Sequence, residues 1–462
     1  MIVHGLSTND NGKIDLKLDA ECFTRDTYTG NISVLGWEER FAYGVEWNAD
    51  GYSYDCTRIG NMALHKSLPV QKGIRGCLLD NDGNVVEYLP GGDWSSVVRD
   101  GSKGQVMVEI PKHYRKCMTS GSKRQVWISE MPLNGYTLVP KMYVSAYEAS
   151  WNNLSEELSS VVNLNEEYRG GDRSKDYDSD YFTLLGKPRT NDTRAHLRQY
   201  ARKRKKNSTE WNIMTYDAWC AVYWLFVVEY ATRNTQKTFN SQLDRNGYRQ
   251  GGLGSGVTTL NVENVLDVGE NPMVSCGASD IWGNQTMSHV VQVPLWSATA
   301  GSSYMVNVQV SRYRGLENLF GHIYTIVDGL NLKVSPSTAA GGDPYILAYA
   351  CSDPDYFADE ATAQYRFVGN VPKNNGYITQ VFFGEQGDIM PQSVGEGASS
   401  IGFCDGLVTN SGGTQGFKAV PLMGGDMSSQ ALAGMVALNS ELPLDATWSL
   451  AGTRLVFIPE SE

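Results

Sequence analysis

The chain has 462 residues, more than one hydrophobic core usually organises, which excludes a single small module and leads us to expect two or three domains. Its 41% hydrophobic and 19% charged residues are those of a globular protein, not of a disordered or collagen-like one. Lys and Arg number 39 against 51 Asp and Glu, and the resulting formal charge of −12 repels phosphate backbones, so nucleic acid is not an expected partner.

In chain order, residues 1–40 are turn-rich and polar, with short candidate strands such as Gly30 to Leu35. They offer too little apolar surface to fold alone and read as a docking arm. No basic stretch followed by an apolar stretch marks a secretory signal there, so synthesis and folding in the cytoplasm are expected. Residues 41–132 read as a small β-rich module, punctuated by Asn48-Ala-Asp-Gly51, Asp80-Asn-Asp-Gly83 and Pro90-Gly-Gly92. Within it, Gln105 to Ile110 alternates like a half-buried strand.

Residues 133–462 form the third expected unit, opened by a strand signal from Tyr136 to Tyr147 with Pro140 near its start. Ser155 to Pro188 is acidic and aromatic and reads as a long surface loop. Two helices follow. Thr193 caps Arg194 to Lys205, with an apolar stripe of Ala195, Leu197, Tyr200 and Ala201. The second, Thr215 to about Gln236, is apolar nearly all round and belongs in the middle of a domain. Its longest apolar run, Ala218 to Val228, is about half of the roughly 20 residues a membrane helix needs, so no membrane insertion is expected. Beyond it lie Gly-, Ser-, Thr- and Asn-rich stretches with short β-like segments: Val306 to Val310, Ile346 to Cys351, Tyr377 to Phe383 and Arg454 to Ile458. Helices early and irregular strands late predict an α+β carboxyl-terminal domain in which the strand near Val139 to Tyr147 pairs with Arg454 to Ile458.

The chemistry-bearing patterns are sparse. Arg202-Lys-Arg-Lys-Lys206 is the only basic block and reads as a solvated helix end complementing the macrodipole. Gly251-Gly-Leu-Gly-Ser-Gly256 lacks the Lys-Ser/Thr of a phosphate loop. Asp176, Asp178 and Asp180 alternate as in a calcium loop, yet Tyr181 stands where the turn glycine belongs. Eight cysteines show no zinc or C-x-x-C spacing and read as reduced thiols. The six histidines never pair at H-x-x-H or H-x-x-x-H spacing, which leaves only convergence in space open. No strand-to-helix G-x-S-x-G is present. His322 lies in Ser311 to Gly329, where charge, aromatics and glycine alternate tightly, and this stretch reads as a demanding core turn.

Tyr313-Arg-Gly-Leu-Glu-Asn-Leu-Phe-Gly-His-Ile-Tyr, Gly452-Thr-Arg-Leu-Val-Phe457 and Ile110-Pro-Lys-His-Tyr114 together resemble the C-type-lectin-like proteins of tailed phages and prophages of gut anaerobes. Those are tail or fibre adhesins, several of them targets of diversity-generating retroelements. Cys56-Thr-Arg-Ile-Gly-Asn61, Arg75 to Asp80, Pro140 to Ala149, Phe226 to Ala231 and Tyr248 to Gly254 match as well, so the resemblance covers roughly residues 41–458. The fold is shared with formylglycine-generating and other sulfatase-modifying enzymes. Their paired cysteines have no counterpart here, since Cys351 and Cys404 stand apart, and the histidine-rich site of an iron-dependent branch lacks its second histidine near His196. Fold alone assigns no function.

The resemblance implies a non-enzymatic virion adhesin or fibre protein, with no cofactor or metal, that recognises a host-cell glycan or protein. The alternative is a purely structural or decorating virion protein, and a sulfatase-modifying type of enzyme is a distant third. It further implies a homotrimer held to other virion proteins through the amino-terminal arm, and ligand contacts on carboxyl-terminal loops carried by a rigid frame. Phe403-Cys-Asp-Gly406, Gly424-Gly425, Gly434 and Gly452 read as frame turns. The display positions between them are Leu407, Thr409, Asn410, Thr414, Gln415, Phe417, Asp426, Met427, Ser428, Gln430, Asn439, Leu442, Asp445 and Trp448. Trp448 leads, because an exposed indole gives contact area at low entropic cost.

Overall fold

The computed structural model describes residues 40–49, 51, 53–165, 167–169, 186–239, 273–297, 302–335, 345–360, 363–395, 405–409 and 418–460, together with four short strands before residue 40. Those four form two small hairpins, Ser7–Thr8 with Ile14–Asp15 and Phe23–Arg25 with Ile32–Val34. The chain is mostly β-sheet, 40% strand and 15% helix, which overturns the expected α+β class. The reason lies in the Gly- and Ser-rich carboxyl half, whose short polar segments look irregular in sequence but pair into sheets. Gly406–Val408, Leu422–Gly424 and Gly434–Asn439 are all strands of one seven-stranded sheet.

Helices are few. They are α1 (Met62–Ser67), α2 (Pro69–Lys72), α3 (Arg194–Arg202), α4 (Tyr216–Tyr230) and α5 (Thr235–Phe239). Helix α3 starts where expected, with Thr193 Oγ1 accepting the His196 N–H at 3.3 Å. Its inner face differs from the expected stripe: Leu197 and Ala201 are buried, but Ala195 is exposed and Arg194 takes an inner position. Arg194 tolerates burial because its guanidinium meets Asp359 Oδ1 (2.8 Å), Leu330 O (2.7 Å) and Asn331 Oδ1 (2.8 Å).

Helix α4 is capped by Thr215, whose Oγ1 accepts the Ala218 N–H at 3.2 Å, and it is buried on all sides from Ala218 to Val228. It stops six residues short of the expected Gln236. Ala231 turns left-handed (φ 52°), its carbonyl accepts the Cys56 N–H at 2.8 Å, and the Arg233 N–H reaches Tyr54 O at 2.8 Å. Pairing with residues 54–56 therefore draws the chain out of the helix.

The central sheet has six antiparallel strands in the order Trp211–Ile213, Leu455–Phe457, Met142–Ser145, Gln105–Ile110, Arg75–Leu79, Val85–Tyr88. The early strand and the last strand pair as expected, Tyr143 opposite Phe457 and Val144 opposite Val456. Pro140 splits the long early signal into Thr137–Val139 and Met142–Ser145, the first of which joins a different sheet. This sheet crosses the boundary drawn at residue 132, since Arg75–Leu79, Val85–Tyr88 and Gln105–Ile110 come from 41–132 and Met142–Ser145, Trp211–Ile213 and Leu455–Phe457 lie beyond it.

Gln105–Ile110, expected to be half-buried, is buried at all six positions. One face packs on the large core around α4 and the other on the cluster that includes Leu197 and Ala201 of α3. Its polar members are satisfied there: Gln105 Oε1 accepts the Ser160 N–H at 2.7 Å, and Glu109 Oε2 accepts the Tyr88 hydroxyl at 2.7 Å.

A five-stranded sheet, Thr137–Val139, His113–Ser120, Lys123–Ser129, Ala42–Asn48, Thr57–Gly60, covers another side of α4. The carboxyl half adds the seven-stranded sheet and a four-stranded sheet, Arg366–Val371, Tyr345–Ala350, Leu330–Ser335, Lys418–Ala419. Met287–Ser297 and Ser302–Tyr313 form a long hairpin, paired from Met287 opposite Arg312 to Ser297 opposite Ser302.

Six cysteines, Cys56, Cys77, Cys117, Cys220, Cys276 and Cys351, are free thiols. Burial pushes Cys77 up to about 12 and Cys117 up to about 11. Unfolded thiols ionise near their ordinary value while these native ones stay protonated, so the unfolded state binds fewer protons above that value. Stability is then expected to fall as pH rises from about 9 towards 11. Urea unfolding at stepped pH checks the slope. A thiol reagent is expected to find Cys77 and Cys117 slow in the native protein and to titrate all eight cysteines of the chain after denaturation without reductant.

Candidate functional site

Three segments that carry the family resemblance meet at one buried arginine. Arg454, fully buried, gives Nη1 to Ser145 O (3.2 Å) and Ala146 O (3.3 Å), and Nη2 to Glu317 O and Asn318 O (2.7 Å for the latter). The early strand, the turn after Tyr313 and the last strand are thereby tied together. Beside it, His322 is wholly buried. Its Nε2 accepts the Val274 N–H at 2.9 Å, which places the ring proton on Nδ1, bonded to Glu148 Oε2. Both ring nitrogens are thus used inside the protein, and this histidine joins the frame as a core turn residue. The turn is conformationally demanding, with Arg314 and Asn318 at φ 46° and 51°.

The next layer is a buried charge network. Asp280 accepts the Tyr147 hydroxyl at 2.6 Å and pairs with Arg99 and Arg312, the latter at 3.2 Å. Glu317 accepts the Ser279 hydroxyl at 2.5 Å and the Ser279 and Gly277 N–H groups at 2.7 and 2.9 Å. These groups hold the segment 277–284 against the frame. Asp280, Glu317, Arg99 and Arg312 each have an internal partner, so the network positions backbone.

The expected display positions fall into three groups. Leu407, Thr409, Asp426, Met427 and Asn439 are buried. Leu407 pairs with Leu438 inside the seven-stranded sheet, and Thr409 Oγ1 donates to Lys373 O at 2.6 Å. Asp426 Oδ1 accepts the hydroxyls of Ser428 and Ser429, each at 2.7 Å, and burial raises its carboxyl above the usual range. For these five the expectation of exposure is corrected: polar residues in a Gly- and Ser-rich stretch are bonded within the sheet and its turns. Asn410, Thr414, Gln415, Phe417 and the side chain of Gln430 lie outside the described residues.

Ser428, Leu442, Asp445 and Trp448 remain at the surface, Asp445 exposed and the other three half-buried. Leu442 and Trp448 pack against one apolar cluster, which includes Tyr324, Ile326 and Ala451 of the strands Tyr324–Ile326 and Ala451–Gly452, paired at one end of the seven-stranded sheet. The Trp448 indole stacks on Tyr324, ring centres 5.3 Å apart and planes 29° apart. The Tyr324 hydroxyl meets Ser429 Oγ at 3.1 Å, and Asn439 Oδ1 accepts the Glu441 N–H at 2.8 Å. The result is a half-buried indole lying on a buried tyrosine, whose hydroxyl is held by Ser429. Tyr324, Ser429 and Glu441 were missed in the sequence. Asp426-Met-Ser-Ser429 does carry the signature of a side chain folding onto its own turn, but nothing in the sequence signals that Tyr324 lies under Trp448.

The frame glycines are explained by contact. Gly424 and Gly425 have φ 93° and 72°, and a Cβ on Gly434 would sit 2.1 Å from Asp405 Oδ1. Asp405 itself is buried, accepts the Val436 N–H at 2.7 Å, and has its carboxyl raised well above the usual range by burial.

Among the described residues, no group of three or more His, Cys, Asp or Glu side chains is arranged to hold a metal ion. No described helix is long and apolar enough to cross a membrane. Cys351 is buried with its Sγ 3.5 Å from Asp353 O, and Cys404 lies outside the described residues, as do Asp176, Asp178, Asp180 and the glycines from 251 to 256. No protein-family profile matches the chain, and no curated protein matches its sequence.

Proposed function

We propose that the chain is a virion adhesin or fibre protein of a tailed phage that binds a glycan or protein of the host-cell surface, acting by recognition rather than catalysis. The observation that carries the reading is the half-exposed Trp448 stacked on Tyr324, whose hydroxyl is held by Ser429, in a stretch that also presents the exposed Glu441 and Asp445. A preordered aromatic surface with polar neighbours suits a sugar ring or a peptide side chain, because little rotamer freedom is lost on binding. The resemblance of the segments joined at Arg454 to phage adhesins adds its weight. In this reading several copies act together, a homotrimer held to other virion proteins through residues 1–40, so that a weak contact gains avidity.

The test separates binding from packing. Trp448 packs against two apolar clusters as well as Tyr324, so Trp448→Ala is expected to lower stability by about 2 kcal/mol and to abolish attachment of purified protein to host cells well below its melting point. Asp445→Lys changes an exposed side chain and is expected to shift stability by no more than about 0.5 kcal/mol while weakening attachment. Full attachment by both variants would end the proposal.

A further inference from the structure

The basic block after α3 is not one solvated helix end. Arg204 is buried, with Nε on Leu158 O (2.5 Å), Nη2 on Ser159 Oγ (2.7 Å) and Nη1 on Asn81 Oδ1 (3.0 Å). The remaining cations, Arg198, Arg202, Lys203 and Lys206, line a groove of about 570 Å³ along the outer side of α3, with Gln199 and Asn207. Two of the four are neutralised. Arg198 makes a two-pronged pair with Asp328 (2.5 and 2.9 Å) and reaches Asp359 at 2.6 Å, and Lys203 pairs with Glu156.

The other two are not. The Arg202 guanidinium meets only neutral acceptors, Pro354 O at 2.6 Å and Asn212 Oδ1 at 3.4 Å, and its buried Nε has no partner. Burial lowers its affinity for its proton more than the nearby charges of Asp328 and Asp355, neither of them in contact with it, raise it. Lys206 is exposed and has neither a hydrogen bond nor an ion pair among the described residues. Two cations that form no ion pair among the described residues therefore share one groove in a chain whose net charge is −12.

A second groove, about 790 Å³, begins at the same Asn207 and is lined by Glu210, Asp353, Asp355 and Glu460. Its charge bars a polyanion from running on past Asn207, since like charges brought together in a cleft reinforce one another. The geometry points to the groove at Arg202 and Lys206 as a site for an isolated dianionic phosphate group, inorganic phosphate or a sugar phosphomonoester. Two charges match two charges, the guanidinium and ammonium supply charge-assisted hydrogen bonds, and the Gln199 amide adds a neutral donor. This site lies on other residues than Trp448 and does not rest on the adhesin reading.

Calorimetric titration of the full chain at constant ionic strength tests it, with inorganic phosphate, glucose 6-phosphate, polyphosphate and a short single-stranded oligonucleotide as four separate probes. We expect saturable binding of inorganic phosphate and glucose 6-phosphate, weakened at least about tenfold in Lys206→Glu, a reversal that disturbs no recorded contact and leaves the melting temperature in place. Arg202→Lys, which keeps the charge but not the fork, is expected to weaken binding less. Absence of saturable phosphate binding, equal binding by Lys206→Glu, or tighter binding of polyphosphate or oligonucleotide than of phosphate would overturn the proposal. Cell attachment by Lys206→Glu, measured alongside, reports separately on the adhesin reading.

Discussion

Replacing Trp224 with alanine is expected to lower stability by about 3–5 kcal/mol, the cost of emptying a large aromatic site in a packed core. Trp224 is fully buried in α4. It stacks on Trp47 of the five-stranded sheet (5.7 Å, 18°), meets Phe383 edge-on (5.7 Å, 77°), and donates its Nε1–H to Gly387 O at 2.7 Å. Alanine removes the contacts of three elements at once and leaves the Gly387 carbonyl without its partner in a dry interior. Trp224→Phe keeps much of the ring area and loses only the donor, so its midpoint in urea is expected to fall between those of wild type and Trp224→Ala. A loss below about 1 kcal/mol for Trp224→Ala would mean that α4 does not join the sheets as described.

Asp280→Ala is expected to cost a similar amount, about 3–5 kcal/mol, by a different route. Its carboxylate is the counter-charge shared by Arg312 and Arg99 and the acceptor for the Tyr147 hydroxyl. Arg312 is wholly buried over the Trp94 ring, 4.3 Å from its centre, and cannot turn to water when its partner goes. Glu317 stays within 3.7 Å of Arg312, so the cation is weakened in its pairing but not stranded. Asp280→Asn retains an acceptor for Tyr147 and loses only the charge, so the difference between wild type and Asp280→Asn in urea measures the share carried by the ion pairs, and the difference between the two variants the share of the neutral hydrogen bond. Equal midpoints for Asp280→Ala and wild type would show that the network contributes nothing net.

What could be read from the sequence, and what could not, follows from where polarity and burial agree. Helix α4 was legible because Thr215 caps a stretch apolar on every side, and the junction of the early and last strands because Val139 to Tyr147 and Arg454 to Ile458 are apolar runs bracketing the helices. Arg204 reads as part of a solvated helix end and is buried, and Arg194, Arg312 and Arg454, whose burial nothing local signals, are buried too, each held by carbonyls, amides or carboxylates far away in the chain. The same blindness misplaced the display positions. Thr409, Asp426 and Asn439 have the composition of loops, and only the tertiary pairing of the seven-stranded sheet brings their partners to them. Trp448 was legible as an aromatic in a polar stretch, while its support, Tyr324, lies more than a hundred residues earlier and has no local signature.

The position of Leu455–Phe457 has a consequence for how the chain comes to be folded at all. This strand is not an edge added at the end but lies between Met142–Ser145 and Trp211–Ile213 in the central sheet, and Arg454 beside it ties together three distant segments. As the polypeptide leaves the ribosome, Val85–Tyr88, Arg75–Leu79, Gln105–Ile110 and Met142–Ser145 can pair among themselves, but Trp211–Ile213 must wait, and Met142–Ser145 keeps one edge open, until Leu455–Phe457 emerges. Closing contacts over some three hundred residues is slow, because loop entropy is lost before any pairing compensates for it. The nascent protein therefore spends its synthesis with unpaired strand edges exposed to its neighbours, and a chain that ends early lacks the piece that closes the sheet.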